Sequence, residues 1–135
     1  MDRAFLFLDR LSPGHCLRSP VFETAPVDCP PGSGAFLNAA AEIEFAGTAR
    51  ELFSLLREYE WTEGAREGER NAPRALDLDL LYFGDAVIVE ADLVVPHPRV
   101  KGRRFVLEPL AAIVPGLIFP GETHTVLELL NSLKT

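Results

Sequence analysis

Cysteine is scarce in this chain: Cys16 and Cys29 are the only two, with no CxxC spacing. That excludes a disulfide framework and leaves two reduced thiols as the expectation. Basic residues are outnumbered, 13 Lys plus Arg against 20 Asp plus Glu for a formal charge of −7. Neither nucleic acid nor an anionic membrane is therefore an expected partner, and any anionic ligand needs a local basic patch. Long apolar runs are also missing. Each is broken by a charge or a proline well before the roughly 18–20 residues that cross a bilayer. The stretch from Ala4 to Leu8, ahead of Asp9, is too short for a secretory signal, so the cytoplasm is the expected location. P-loop, nucleophile elbow, Rossmann glycine fingerprint and clustered zinc-ligand spacing are all absent. What is there is 135 residues, 47% hydrophobic and 24% charged, enough for a single domain over 1–135 that buries a real core.

Ala4, Phe5, Leu8 and Leu11 recur at helical spacing, predicting an uncapped amphipathic helix from Met1 to Leu11 that ends near Pro13-Gly14. Cys16 to Thr24 reads as a strand, Cys29 to Gly34 as a loop rich in Pro and Gly, and Phe36 to Phe45 as a second strand by alternation, with Leu37, Ala39, Ala41, Ile43 and Phe45 on one face. Thr48 with Glu51 forms a capping box ahead of Leu52, Phe53, Leu55, Leu56 and Tyr59, the plainest helix signal in the chain. The charged stretch Glu60 to Ala72 reads as a loop and Ala75 to Phe83 as a strand ending at Gly84-Asp85. A short Val87-Ile88-Val89 segment follows. Phe105 to Ile113 is expected to be a helix limited by Pro109, and Thr125 with Glu128 caps a last helix through Leu133. The order describes an α+β sandwich, helices packed on a sheet.

The sharpest chemical signal is Arg74-Ala75-Leu76-Asp77-Leu78-Asp79-Leu80-Leu81. On a strand, side chains alternate, so the leucines face the core and Asp77 and Asp79 project together, roughly 7 Å apart. Two like charges on a strand carry a cost that a cation removes, and Mg²⁺ favours one or two carboxylates supplemented by phosphates and water. A half-exposed strand with acids facing solvent stands equally open from this segment alone. Seven of the 13 basic residues fall in two windows, Arg66, Arg70 and Arg74, then Arg99, Lys101, Arg103 and Arg104. Guanidinium groups beside a Mg²⁺ site suit a polyphosphate; a charged loop neutralised by Glu67 and Glu69 is the plainer reading. Thr24, Phe36, Asn38 and Phe105 could stack and read a flat heteroaromatic, and each could equally be core or turn packing. His97, within Val95-Pro96-His97-Pro98, suits a phosphate contact or a structural loop.

Taken together, Arg70-Asn71-Ala72-Pro73-Arg74-Ala75-Leu76-Asp77-Leu78-Asp79-Leu80-Leu81 resembles the signature of the 6-hydroxymethyl-7,8-dihydropterin pyrophosphokinase family of folate biosynthesis. Ser19 to Val27, Phe36-Leu37-Asn38-Ala39, Val95-Pro96-His97-Pro98 and Arg103 to Leu110 resemble the same family, in its order, so the likeness covers nearly the whole chain. The resemblance implies a ferredoxin-like α+β sandwich with an antiparallel-rich sheet, and transfer of the terminal diphosphate of MgATP to the hydroxymethyl oxygen of the pterin with release of AMP. It implies that Asp77 and Asp79 hold two Mg²⁺ ions. Arg66, Arg70, Arg74, Arg103 and His97 would meet phosphates, with Arg74 and Arg66 in the catalytic set. Leu80 would line the adenine pocket and Glu60 would stand on the nucleotide side. Thr24, Pro26, Val27, Phe36, Asn38 and Phe105 would hold the pterin. The family opens with a strand and a Gly-Ser-Asn loop, so the first strand is expected to be missing here. Its Gly-Arg-x-Arg loop is met by Glu63-Gly64-Ala65-Arg66-Glu67, with one arginine. A monomer is expected, and the alternative function is a catalytically weak paralogue that keeps the binding pocket.

Overall fold

The computed structural model describes residues 2–24, 36–66 and 77–133. They fall into two compact units, Met1–Glu44 with Arg99–Thr135, and Phe45–Pro98. Helices and antiparallel strands make up both, the α+β class the alternation of patterns implies.

In the first unit, helix α1 (Asp2–Leu11) buries Ala4 and Phe5. The expected single strand from Cys16 to Thr24 is instead two, β1 (Cys16–Arg18) and β2 (Phe22–Thr24), and the expected strand from Phe36 to Phe45 is β3 (Phe36–Asn38) and β4 (Ala41–Ile43). β1 pairs with β4 through Arg18↔Ala41, and β2 with β3 through Phe22↔Asn38, both antiparallel. Three residues, Ser19 to Val21, thus oppose two, Ala39 and Ala40, which is the signature of a β-bulge. Pro20 has no N–H to give the ladder. Ser19 takes over the pairing there: its N–H donates to the Ala40 carbonyl at 2.8 Å, and its buried hydroxyl accepts from the Ala40 N–H at 2.8 Å. Leu37 is exposed while Ala41 and Ile43 are half-buried, so the residues expected on one face are not equally covered.

Helix α3 (Arg104–Ile113) packs on β2, β3 and β4 and against helix α4 (Val126–Ser132), and Leu107, Leu110, Val126 and Leu129 form the core between them. Pro109 does not end α3. The helix runs to Ile113, the expected end, with the Pro109 ring buried inside it. Thr125 and Glu128 make the expected capping box, each side chain meeting the other's backbone N–H at 3.1 and 2.8 Å.

The second unit is built on helix α2 (Ala49–Arg66). Its capping box is formed as expected, Glu51 N–H to Thr48 Oγ1 at 3.1 Å and Thr48 N–H to Glu51 Oε1 at 3.0 Å. These bonds hold the Glu51 carboxyl below the usual carboxylate range. The helix runs past Tyr59 into the segment read as a loop. Its buried stripe is Ala49, Leu52, Leu56, Glu60 and Glu63, at helical spacing throughout; the stripe merely turns acidic after Leu56, which hides its last part from an apolar pattern. β5 (Ile88–Val89) and β6 (Val94–Val95) form a small antiparallel hairpin, closed by Glu90 N–H to the Leu93 carbonyl at 3.0 Å.

The expected strand from Ala75 to Phe83 is corrected as well. Residues 77–83 make no regular strand. A strand needs a continuous ladder, and among the described residues the backbone bond His97 N–H to the Leu81 carbonyl, at 2.8 Å, joins the segment to the hairpin side, while Leu78 N–H is taken by a side chain.

Candidate functional site

The face of α2 beside the buried stripe carries Arg50, Phe53 and Arg57 at spacings of three and four, so all three lie together. Both guanidinium groups sit over the Phe53 ring, Arg50 at 5.6 Å and Arg57 at 4.9 Å from its centre. Arg50 reaches the β5–β6 turn, donating to Asp92 at 2.9 and 3.0 Å and to Glu90. Those bonds hold the Asp92 carboxyl below the usual carboxylate range and push the Arg50 guanidinium up. Arg57 turns the other way. It donates to Glu60 Oε1 at 2.7 Å and brings a second nitrogen to 4.0 Å from Asp79 Oδ1.

Between α2 and the hairpin these side chains border an open cleft of about 210 Å³, lined by Phe53, Arg57, Asp79, Leu80, Asp92 and His97 among others. Three residues singled out in the sequence, Asp79, Leu80 and His97, therefore share one cavity. Leu80 and Phe53 give it apolar wall, while Arg57, His97, Asp79 and Asp92 give it polar and charged groups, with Arg57 4.0 Å from Asp79. A cavity of this composition suits a ligand with a flat apolar part and an anionic part. Asp77, exposed, lies two residues from Asp79. Among the described residues no group of three or more His, Cys, Asp or Glu side chains forms a metal cage. The Asp77/Asp79 pair supplies hard carboxylate oxygens in the number that Mg²⁺ takes from protein when phosphates and water complete its shell, so the donor chemistry fits that ion.

Glu60 stands behind the cleft. Its side chain is 2% exposed and accepts from Leu78 N–H at 2.5 Å as well as from Arg57. Arg57, Phe53 and Asp92 were not foreseen from the sequence. The available signal was the spacing Phe53, Arg57, Glu60, one helix turn apart and directly beside the apolar stripe.

In the other unit, Thr24 and Phe36 are cross-strand partners and Asn38 pairs with Phe22, so Thr24, Phe36 and Asn38 belong to one two-stranded ladder. Asn38 is half-buried. At the start of α3, the Arg103 guanidinium lies 5.6 Å from the centre of the Phe105 ring, which is 44% exposed. The expected site residues Pro26, Val27, Arg70 and Arg74 lie outside the described residues, and Arg66 is placed by backbone alone, as the last residue of α2.

Residues 2–115 match the family described as 7,8-dihydro-6-hydroxymethylpterin-pyrophosphokinase. The chain is 34% identical over 98 residues to a Synechocystis protein named 2-amino-4-hydroxy-6-hydroxymethyldihydropteridine pyrophosphokinase, covering 73% of this chain and 50% of that protein. Proteins of the same name from Bacillus subtilis (41% identical over 95 residues, 70% of this chain and 56% of that one) and Pseudomonas aeruginosa (34% over 106 residues, 78% and 65%) are similar too. The chain spans about half the length of the first of these relatives, the Synechocystis protein.

Proposed function

The chain belongs to the 7,8-dihydro-6-hydroxymethylpterin-pyrophosphokinase family, and from that premise we propose that it transfers diphosphate from MgATP to the hydroxymethyl oxygen of 6-hydroxymethyl-7,8-dihydropterin in folate biosynthesis, releasing AMP. The observation that carries the reading is the family match over residues 2–115, a span that includes the acid pair, the arginine windows and the cleft residues. In this reading the pterin hydroxyl attacks the β-phosphorus, the bond from that phosphorus to the oxygen bridging it to the α-phosphate breaks, and the hydroxyl proton is lost. Such transfer is mostly positioning plus stabilisation of charge. Two Mg²⁺ ions would supply charge neutralisation on the phosphates, held by Asp77 and Asp79.

The chain's own residues do the rest. Leu80 packs the adenine; His97, Arg66, Arg70 and Arg103 meet phosphate oxygens; Arg74 stabilises the transferred diphosphate. Glu60 belongs to the nucleotide side. Thr24, Pro26, Val27 and Asn38 read the pterin edge, and Phe36 and Phe105 stack its ring. The reading includes a ferredoxin-like sandwich as the full architecture, one domain over the chain, a monomer and a cytoplasmic location. Among the described residues no helix is long and apolar enough to cross a membrane.

The test is AMP release by the purified chain given MgATP with and without the pterin. AMP that appears only with the pterin supports the proposal. A folded chain that binds both substrates and releases none overturns it.

A further inference from the structure

We propose that Glu60 is a positioning residue for the Asp77/Asp79 pair, which it holds through the backbone between them; the role rests on the reading of that pair as the metal-holding carboxylates. A carboxylate so deeply buried is retained only where charge-assisted hydrogen bonds compensate its desolvation. Two of Glu60's partners lie in the same unit and lead to the acid pair. One oxygen takes the N–H of Leu78, the residue between Asp77 and Asp79, at 2.5 Å. The other takes Arg57 at 2.7 Å, whose second nitrogen stands 4.0 Å from Asp79.

This matters because residues 77–83 have no strand ladder to fix them. A ladder would pin every second N–H of the segment and so fix which way the intervening side chains point. Here one side-chain carboxylate on a long helix does that for Leu78, and by fixing that peptide it sets the directions in which Asp77 and Asp79 leave the chain. Arg57 is the second arm of the same device, offering Asp79 a cation at a range too long for a tight bidentate pair, so that carboxylate keeps its capacity for another partner.

Partners that orient metal-holding carboxylates typically change metal affinity 10–100-fold when removed. The experiment measures Mn²⁺ binding by the loss of its free electron paramagnetic resonance signal, in the presence of α,β-methylene ATP, which cannot be cleaved at the reacting bond. Glu60→Ala is expected to weaken Mn²⁺ binding at least about tenfold. Glu60→Gln, which keeps an oxygen for Leu78 N–H, is expected to stay within about threefold. Leu56→Ala, buried one turn earlier on α2, controls for general loosening of the helix and is expected to bind Mn²⁺ like the unaltered chain while melting at lower temperature. Equal Mn²⁺ binding by Glu60→Ala and the unaltered chain overturns this proposal and leaves the metal reading intact. Failure of the unaltered chain to bind Mn²⁺ with the nucleotide overturns the metal reading itself. Should Glu60→Ala not fold, amide exchange in the unaltered chain decides: a Leu78 N–H exchanging as fast as an unprotected loop amide overturns the proposal, and a protected one whose protection survives in Glu60→Gln supports it.

Discussion

Replacing Asp79 by alanine separates what the fold needs from what the chemistry needs. The side chain is 43% exposed, and its one ion pair among the described residues, to Arg57, is at 4.0 Å with a partner 41% exposed. Exposed pairs contribute about 0–1 kcal/mol, and at the long end of the distance range, with solvent screening both groups, about 0.5 kcal/mol or less is the appropriate figure. For a chain of this size that corresponds to a change in melting temperature of about 3 °C or less. The catalytic effect runs the other way. Losing one group that organises charge at a transferring phosphoryl centre costs about 10²–10³ in rate, roughly 3–4 kcal/mol of barrier. Pterin-dependent AMP release and a thermal melt on the same preparation read both numbers. The expected result is a nearly unchanged melt with activity down at least about 100-fold. A rate within tenfold of the parent would refute the assignment of Asp79 to the reacting phosphates, and a melt lowered by more than about 6 °C would show that its role is structural.

Other substitutions probe the frame. Leu107→Ala, at a position with no exposure in α3, is expected to cost about 3–4 kcal/mol and about 10 °C in melting temperature, read by thermal denaturation. Ser19→Ala leaves the Ala40 N–H without the hydroxyl it donates to, so urea unfolding should report a loss of about 1–3 kcal/mol; a loss under about 0.5 would mean the bulge closes without the serine. The Thr125 backbone and hydroxyl hold the Glu128 carboxyl below the usual range. A carboxyl lowered by folding contributes stability above its unfolded value and loses it as pH falls through the folded one. Urea midpoints of the parent and Glu128→Ala should therefore differ at pH 7, and the difference should shrink only as pH falls below the ordinary carboxylate range.

Much of this was legible because it is local. Both capping boxes, at Thr48 and Thr125, announce themselves in four residues, and the structure forms them. What escaped was set by partners distant in sequence. The split of each long strand depends on Ser19 meeting Ala40, and nothing in Cys16 to Thr24 alone dictates it. The alternation of Leu and Asp from Leu76 to Leu80 reads as a strand, yet strand is a property of neighbours, and the neighbour at Leu78 is a glutamate side chain. The end of α2 is hidden from an apolar pattern because acids occupy its inward face, and Glu60 is at home there through its bonds to Arg57 and Leu78. The candidate site divides likewise: Asp79, Leu80 and His97 stood out by chemistry and motif, whereas Arg57 and Phe53 look like ordinary helix surface until the cleft places them beside Asp79.

The single surplus residue between β1 and β2 works as a phase shifter. Partner numbers sum to 59 along β1 and β4, as in Arg18 with Ala41, and to 60 along β2 and β3, as in Phe22 with Asn38. Because cross-strand partners share a face, the bulge absorbs the offset, and Phe22 lies on the side of the ribbon that its partner Asn38 takes on the unbulged strand. Loss of one codon among residues 19–21 would let the two ladders merge into one continuous ribbon with the same cross-strand partners, without the local kink of the bulge. The surplus residue therefore sets the local bend of the ribbon and not its pairing, and a relative with one residue fewer there would keep the same partners on the same faces along a straighter ribbon.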